Sequence, residues 1–259
     1  MGKIIVVANQ KGGVGKTTTT VNLSASLALA EKDILVIDTD PQGNLTSGLG
    51  INRDSVQKSL YDVYAGRVQL EEVIIETALP HLYLVPSTID LLGAEVELVQ
   101  KEGRERILSN EIEKIRDRYR YVFIDCPPSL GVLTLNGLVA ADSVLIPVQC
   151  EYYALEGLGL LSRTLKLIQG SFNPSLDIEG ILLTMFDARN TLSHQVVEEV
   201  RKFFSEKVYK TLIPRNVTLS EAPSHGKPAI LYDARSKGAQ SYLSLAKEML
   251  NENGFRQGS

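Results

Sequence analysis

Short apolar runs recur along the chain and are separated by stretches in which Leu and Ala return at helical spacing. The runs are apolar throughout instead of alternating with polar residues, which is typical of strands buried on both faces of a parallel sheet. Strands that alternate with helices in this way are typical of βαβ units. The pattern predicts an α/β fold with a single doubly wound, mostly parallel sheet and helices on both faces. The six predicted strands contain IIVVA, ILVID, LYLVP, YVFID, VLIPV and ILLTM.

The sequence shows no boundary that would divide the chain into separate domains. We find no repeat, no low-complexity tract and no Pro/Ser-rich linker. A doubly wound α/β domain can reach the 259 residues of this chain. We therefore predict one domain over residues 1–253, followed by a loose tail, GFRQGS, at 254–259.

Composition indicates an ordinary globular protein. Hydrophobic residues make up 44% of the chain and charged residues 22%. Every apolar run ends well short of the roughly 20 residues that span a bilayer, and the N-terminal run is too short for a signal peptide. We therefore predict a cytoplasmic protein without a membrane anchor. Cys126 and Cys150 follow strand-like runs and share no CxxC spacing, which favours reduced core thiols over a disulfide or a metal site.

Charge limits how the protein could bind nucleic acid. The net charge of −4 argues against a protein that coats nucleic acid through bulk charge. The basic residues are unevenly distributed, however, because the segment from Arg201 to Lys237 holds eight basic residues and three acidic ones. This segment predicts a local basic surface.

The first predicted strand leads into NQKGGVGKTTTT, which follows the phosphate-loop pattern G-x-x-x-x-G-K-[ST] at Gly15, Lys16 and Thr17 but has Gln10 at the position of the first glycine, with Lys11 next to it. Its glycines let the backbone turn tightly and point N–H groups at phosphate oxygens. The next helix, predicted from about Lys16 to Ala30, directs its positive end at the same phosphates. Lys16 is expected to neutralise the β and γ phosphates, and the Thr17 hydroxyl to bind Mg²⁺. The segment predicts an ATP and Mg²⁺ site formed by Lys11, Gly12, Gly13, Val14, Gly15, Lys16, Thr17 and Thr18.

Three aspartates follow predicted strands, at the sheet edge where open α/β folds bind ligands. Asp38 and Asp40 end the second strand in VIDTDPQGN, and residues two apart on a strand share a face, so both carboxylates are expected to look toward the phosphates. Alternatively, either side chain caps a turn. Asp125 closes YVFIDCPPS, the Walker B form that holds Mg²⁺ directly or through water. Residues 127–131 and 39–50 are predicted switch loops that sense the γ-phosphate.

The string KGGVGKTTT, with the additional Lys11, resembles the deviant Walker A ATPases of the ParA/MinD superfamily. Longer segments resemble its chromosomal ParA, or Soj, subgroup over nearly the whole chain: DPQGNLTSGLG, AEVELV, IDCPPSLGVLTLN, IPVQCEYYALEGL, LLTMFDARN and IPRNVTLSEAPSHGKPAILYD. The resemblance implies a P-loop NTPase fold, hydrolysis of ATP to ADP and an ATP-dependent homodimer. It further implies nonspecific binding of double-stranded DNA at the nucleoid, and a ParB/Spo0J-type partner protein that stimulates hydrolysis during chromosome or plasmid segregation.

The resemblance also implies roles for residues near the phosphates. Lys11 is expected to reach the partner subunit's ATP, which places Lys11 and Gly12 at the dimer interface. Asp40 is expected to orient or activate the attacking water. The implied catalytic residues are Asp40, Lys11 and Lys16, and the implied metal residues are Thr17, Asp125 and Asp40.

Other residues are implied to contact the nucleoside or DNA. Those implied to lie against adenine or ribose are Pro214, Asn216 and Met185. The implied DNA contacts are Arg189 and Arg215, supported by Lys202, Lys207 and Lys210 as a phosphate-binding surface. Close relatives often carry an arginine in the IPRNVxLSEAP segment where this chain has Thr218, so the footprint on DNA is left open, with ordinary surface charge as the alternative.

Three other classes share this lineage. A MinD-like membrane ATPase would end in a basic amphipathic helix, whereas GAQSYLSLAKEMLNENG holds one lysine and has the apolar spacing of a helix docked on the core. A nitrogenase-type iron protein would need paired cluster cysteines, which the two separate thiols do not supply. A small-molecule ligase remains as the alternative, because nothing in the phosphate site excludes a carboxylate substrate.

Overall fold

The computed structural model describes the chain from Met1 to Arg256, and its side chains as far as Asn251. Within these residues one seven-stranded sheet has the strand order β3-β4-β2-β5-β1-β6-β7. All its pairings are parallel except β3 with β4. The strands are β1 Lys3–Val7, β2 Ile34–Asp38, β3 Ile75–Glu76, β4 Leu82–Val85, β5 Tyr121–Asp125, β6 Ser143–Gln149 and β7 Asp177–Thr184. The six predicted strands are confirmed, and β3 is an edge strand that the apolar pattern did not predict.

The helices connect these strands and cover the sheet. α1 begins at Lys16 as predicted and ends two residues before the predicted Ala30. The last helix continues through 254–256, where the sequence predicts the start of a loose tail, and the remainder of that tail lies outside the described residues. The helices are α1 Lys16–Ala28, α2 Asn44–Gly48, α3 Leu60–Tyr64, α4 Leu91–Glu97, α5 Ile107–Glu113, α6 Val132–Ala140, α7 Ala154–Ser171, α8 Thr191–Phe204, α9 Val217–Glu221, α10 Ala229–Tyr232 and α11 Lys237–Arg256.

Two hydrophobic cores lie on opposite faces of the sheet. On β2, Leu35 and Ile37 join the core that includes residues of α3 to α8, whereas Ile34 and Val36 join the core formed with α1, α10 and α11. Because successive side chains of a strand point to opposite faces, this division shows that helices cover both faces. The predicted doubly wound α/β architecture is confirmed.

The last helix packs on the core as its apolar spacing predicts. Tyr242, Leu245, Ala246 and Met249 are all buried, and the Tyr242 hydroxyl lies 3.1 Å from the Thr19 hydroxyl of α1. None of the described helices is both long and apolar enough to cross a membrane. The two cysteines are free and buried, as predicted.

Parallel pairing brings the candidate site residues to one edge of the sheet. In the register, Asp125 of β5 lies beside Val7 of β1 and Asp38 of β2. The segments that follow these three strands therefore leave the sheet side by side. This is the carboxyl edge, where open α/β folds bind their ligands.

Candidate nucleotide site

The phosphate loop joins β1 to α1. Gly13 and Gly15 adopt the left-handed conformation, with φ of +74° and +92°, which glycine reaches without steric cost. A methyl group built on Gly13 would meet no atom within 4 Å, and one built on Gly12 would approach only the Pro128 Cβ, at 3.9 Å. One side of the loop is therefore open, and α1 points its N-terminus at the same space.

A cavity of about 380 Å³ lies against this loop. It is lined by Gly12, Gly13, Gly15, Lys16, Thr17, Thr18, Asp40, Gln42, Asn44, Pro128 and Met185. Two loop residues predicted to bind the nucleotide, Lys11 and Val14, do not line it. Val14 is buried and its carbonyl accepts a 2.8 Å hydrogen bond from the Thr184 hydroxyl, so it fixes the loop to the end of β7.

The two lysines of the loop take different directions. Lys16 is buried at 7% exposure, and its Nζ donates to the Lys11 carbonyl at 3.2 Å. Burial lowers the pKa of Lys16, while nearby acidic groups, Asp125 first, act in the opposite sense. The Lys11 side chain does not line the cavity and forms an ion pair with Glu151, just after β6. Only Lys16 therefore directs its charge at the phosphate space of its own chain.

The Asp125 carboxylate is buried at the floor of the site. It accepts hydrogen bonds from the Thr17 hydroxyl at 2.7 Å and from the Thr20 hydroxyl at 3.0 Å. Burial, and then the neighbouring Asp38, raise the pKa of Asp125 to about 8. A carboxylate and a hydroxyl are hard oxygen donors of the type that Mg²⁺ prefers, so this pair fits a magnesium ion beside the phosphates.

Asp38 and Asp40 do not share one environment, contrary to the expectation from the sequence. Asp38 is fully buried and accepts hydrogen bonds from the Thr46 backbone at 2.8 Å and hydroxyl at 2.7 Å. Burial raises the pKa of Asp38 to about 6 despite these bonds. β2 ends at Asp38, so the rule that residues two apart share a face no longer applies to Asp40. Of the two, Asp40 lines the cavity. The capping alternative holds for both, because the Asp38 carboxylate accepts from backbone N–H groups of the following segment and the Asp40 carboxylate accepts from the Gln42 N–H at 2.9 Å.

A second cavity, of about 140 Å³, adjoins the first and shares Gly15, Thr18 and Met185 with it. Asn216 Oδ1 is buried there without a hydrogen-bond partner in the described structure. Such an acceptor fits a donor of a bound ligand, and the exocyclic amino group of adenine is one. The rest of the lining is Thr184, Ile213, Pro214, Arg215, Leu219, Ser220 and Tyr242. The joined cavities thus fit a nucleotide with its phosphates at the loop and its base beside Asn216.

Arg189 and Arg215 lie near each other beyond the carboxyl end of β7. The Arg215 N–H donates to the Phe186 carbonyl at 3.1 Å, and Arg189 pairs with Asp187 while its side chain stays 91% exposed. Arg215 is exposed but also lines the second cavity. A change at Arg215 would therefore affect both the base cavity and the surface charge.

The three predicted lysines do not join these arginines in one patch. Lys207 pairs with Asp177 at the first residue of β7, and the eight residues of β7 place roughly 25 Å between its ends. Lys210 lies between, where its backbone donates to Glu248, and Lys202 is exposed on α8. The charge cluster in the sequence is thus spread along the flank of the molecule.

Several residues of the site were missed by sequence reasoning. Gln42 and Asn44 line the phosphate cavity, and their place in DPQGN next to Asp40 was an available signal. Thr20, the last threonine of the TTTT run, contacts Asp125, at helical spacing from Lys16. Glu151 gave no signal, because its contact with Lys11 joins segments that are distant in the chain.

Comparisons with known proteins agree with this geometry. A family model described as an AAA domain matches residues 2–178. The chain is 58% identical to the sporulation initiation inhibitor protein Soj of Bacillus subtilis, over 96% of this chain and 98% of that protein. It is 54% identical to the chromosome partitioning protein ParA of Myxococcus xanthus, over 98% and 89%.

Solved structures show the same fold. The crystal structure of a cobyrinic acid a,c-diamide synthase from Mycobacterium smegmatis, with bound ADP and magnesium, has a TM-score of 0.86 and 38% identity, and the match covers 100% of this chain and 97% of that one. The cell division ATPase MinD of Pyrococcus furiosus has a TM-score of 0.81 and 28% identity, over 97% and 99%.

Proposed function

This chain belongs to the ParA/Soj family of partitioning ATPases and hydrolyses ATP with Mg²⁺, and we propose that it is a DNA-segregation switch. In the proposed cycle, ATP joins two subunits face to face and the dimer binds double-stranded DNA without sequence preference. A ParB-type partner then stimulates hydrolysis, which returns the subunits to the monomeric state. The protein would act in the cytoplasm at the nucleoid, on a chromosome or a plasmid.

The observation that carries the dimer is the direction of Lys11. Its ammonium group pairs with Glu151 outside the phosphate cavity of its own chain. Gly12 and Gly13 beside it are exposed, and the cavity is open above them. Tyr152 and Tyr153, which follow Glu151, are 75% and 62% exposed. A second subunit that covers this face would bury the tyrosines and receive Lys11 at its own phosphates.

The residues around the cavity fit hydrolysis of the terminal phosphoanhydride bond. Lys16 would offset the charge that develops on the β and γ phosphates, and backbone N–H groups of the loop would hold their oxygens. Bound Mg²⁺, held by Thr17 with Asp125 behind it, would neutralise phosphate charge. Asp40 would orient the attacking water, whose oxygen bonds to the γ-phosphorus as the bond to ADP breaks.

DNA binding is proposed to depend on the presence of two subunits. The basic surface of one subunit is small on a chain whose net charge is −4. Each neutralised phosphate contributes about 0.9 to the slope of log affinity against log salt. Two symmetric copies on one duplex would therefore roughly double that slope. In this scheme ATP-driven dimerisation switches DNA binding without a change in either surface.

The test uses the Asp40→Ala protein, which should hold ATP in the dimer. Binding to a random-sequence duplex is measured by fluorescence anisotropy with ATP and with ADP over a range of salt concentrations. We expect tight, salt-sensitive binding with ATP and little with ADP. Arg189→Glu should abolish binding while the dimer persists in size-exclusion chromatography. Lys247→Glu makes the same charge change at an exposed position of α11 and serves as the control. Equal affinity with ATP and ADP would refute the switch.

A ligase activity is the second candidate, because the solved structure at 38% identity is that of a diamide synthase. Such an enzyme consumes ATP only when it activates a carboxylate. ATP turnover that proceeds with DNA and a ParB-type protein, without any added metabolite, would exclude it. Turnover that requires a carboxylate substrate and an amine donor would replace the segregation proposal.

A further inference from the structure

An apolar stripe runs along the exposed side of α4 and of the residues directly before and after it. It consists of Ile89, Leu92, Val96 and Val99, which we call the α4 stripe, and their side chains are 58%, 48%, 75% and 59% exposed. Leu92 and Val96 lie on one face of α4, and Ile89 and Val99 continue the same spacing just before and just after the helix. The opposite face, which includes Leu91, is buried in the core. Single exposed apolar residues are ordinary, but a continuous set marks a surface that another molecule covers.

The segment that carries the α4 stripe is acidic. Residues 86–100 contain Asp90, Glu95 and Glu97 and no lysine or arginine. None of the three carboxylates forms an ion pair with another described residue. The stripe is therefore an apolar surface bordered mainly by negative charge. The nearest basic groups are Lys101, just beyond it in the chain, and Arg67, which stacks on the Tyr61 ring whose hydroxyl donates to Glu97.

The segment that carries the stripe contacts both loops beside the phosphates. Just before α4, the Ser87 hydroxyl donates to the Asp40 carbonyl at 2.6 Å. Within α4, the Glu95 carboxylate packs against Gly131, where an added methyl group would lie 2.6 Å from its Oε1. Gly131 ends the loop whose Pro128 lines the phosphate cavity. A molecule that fixed α4 would thus act on the loop of Asp40 and on the loop of Pro128.

The negative border restricts what can cover the stripe. Double-stranded DNA would be repelled by the three carboxylates. A second copy bound through the same face would place these carboxylates against their own copies. A short helical or extended segment could cover the stripe with its apolar residues while flanking lysines or arginines pair with the carboxylates at its border.

We propose that the α4 stripe is the docking surface for a basic amphipathic segment of the partner protein that stimulates hydrolysis. This inference rests on the proposed function and adds the place and the chemistry of the stimulating contact. Docking there would hold the two loops in the arrangement that brings Asp40 to the attacking water. In this scheme the partner protein accelerates ATP hydrolysis without inserting a residue into the phosphate cavity.

Two peptides serve as probes, patterned alike as amphipathic helices, one of Leu and Lys and the other of Leu and Glu. Binding and stimulation of ATP turnover are measured, and hydrogen exchange locates the peptide on the protein. We expect the Leu/Lys peptide to protect residues 89–100 and to raise turnover, and the Leu/Glu peptide to do neither. Val96→Glu should weaken Leu/Lys binding by about tenfold or more. Leu29→Glu, which changes another exposed leucine beyond the end of α1, should leave it unchanged.

A charge-swapped protein, Asp90→Lys with Glu97→Lys, tests the border independently and should prefer the Leu/Glu peptide. Basal turnover and ATP-dependent DNA binding are measured on every variant. Equal affinity of the wild type and Val96→Glu for the Leu/Lys peptide, or protection outside 89–100, would overturn the docking surface while leaving the segregation switch intact. Protection of 89–100 by a second copy of the chain at rising concentration would likewise overturn it. Loss of ATP-dependent DNA binding in the wild type would instead reject the proposed function.

Discussion

Replacing Lys16 or Lys11 by alanine should have different effects on ATP affinity, although the two lysines belong to the same loop. Lys16 is buried at the phosphate cavity, where a unit charge about 4 Å away at an effective dielectric constant of about 20 contributes about 4 kcal/mol. Lys16→Ala should therefore weaken ATP binding by roughly a thousandfold, since each 1.4 kcal/mol is about a factor of ten. Lys11 is about half exposed and pairs with Glu151, and surface pairs of this kind contribute at most about 1 kcal/mol.

Lys11→Ala should accordingly leave ATP affinity within about fivefold of the wild type but prevent the ATP-dependent dimer. The assay is isothermal titration with Mg²⁺ and a slowly hydrolysed ATP analogue, at protein concentrations low enough to keep subunits apart. Light scattering at higher concentration reports the dimer. Equal losses of affinity in the two variants would refute the assignment of Lys16 to its own cavity and of Lys11 to the partner's.

Asp40→Ala should bind ATP and dimerise but lose turnover, measured as phosphate release; turnover at the wild-type rate would assign the water to another residue. Gly12→Val should fold and bind nucleotide, because a Cβ at this position meets only the Pro128 Cβ, at 3.9 Å, yet stay monomeric in light scattering. The Tyr64 hydroxyl is buried without a partner among the described residues, so Tyr64→Phe should keep or raise the melting temperature. Tyr242→Phe, which loses a bonded hydroxyl, should lower it by roughly 2–4 °C, for a loss of about 1 kcal/mol; the reverse order would contradict this account.

The fold was predictable because its strands are long enough to carry a pattern. The strands of Tyr121–Asp125 and Ser143–Gln149 are buried almost throughout, so the continuous apolar run in each reports its place in the sheet directly. β3 has two residues, Ile75 and Glu76, and forms only an edge pair with β4. Two residues cannot display a period, and the antiparallel pairing depends on the neighbouring strand and not on local sequence.

The candidate site was predictable where chemistry is concentrated in one segment. Gly12 to Thr18 are adjacent in the chain, so their motif contained most of the phosphate cavity. The difference between Asp38 and Asp40 depends on where β2 ends, and element boundaries are the least certain part of any reading of sequence. The spread of the basic residues depends on how α8 and the following segment pack along β7. The closeness of these basic residues in the sequence therefore did not predict how far apart they lie in the structure.

The Lys11–Glu151 pair gives the proposed dimer a physical basis for distinguishing ATP from ADP. In the free subunit both side chains are partly exposed, so breaking the pair costs little because water solvates the separated charges. In a dimer the same ammonium group would enter a water-poor interface, where its interaction with phosphate is far stronger. ATP offers the charge of a γ-phosphate near the open side of the loop, and ADP does not. Only with ATP would the interaction of Lys11 with phosphate exceed the cost of breaking its pair with Glu151. We therefore expect the subunits to dimerise when the γ-phosphate is present and to separate when it is absent.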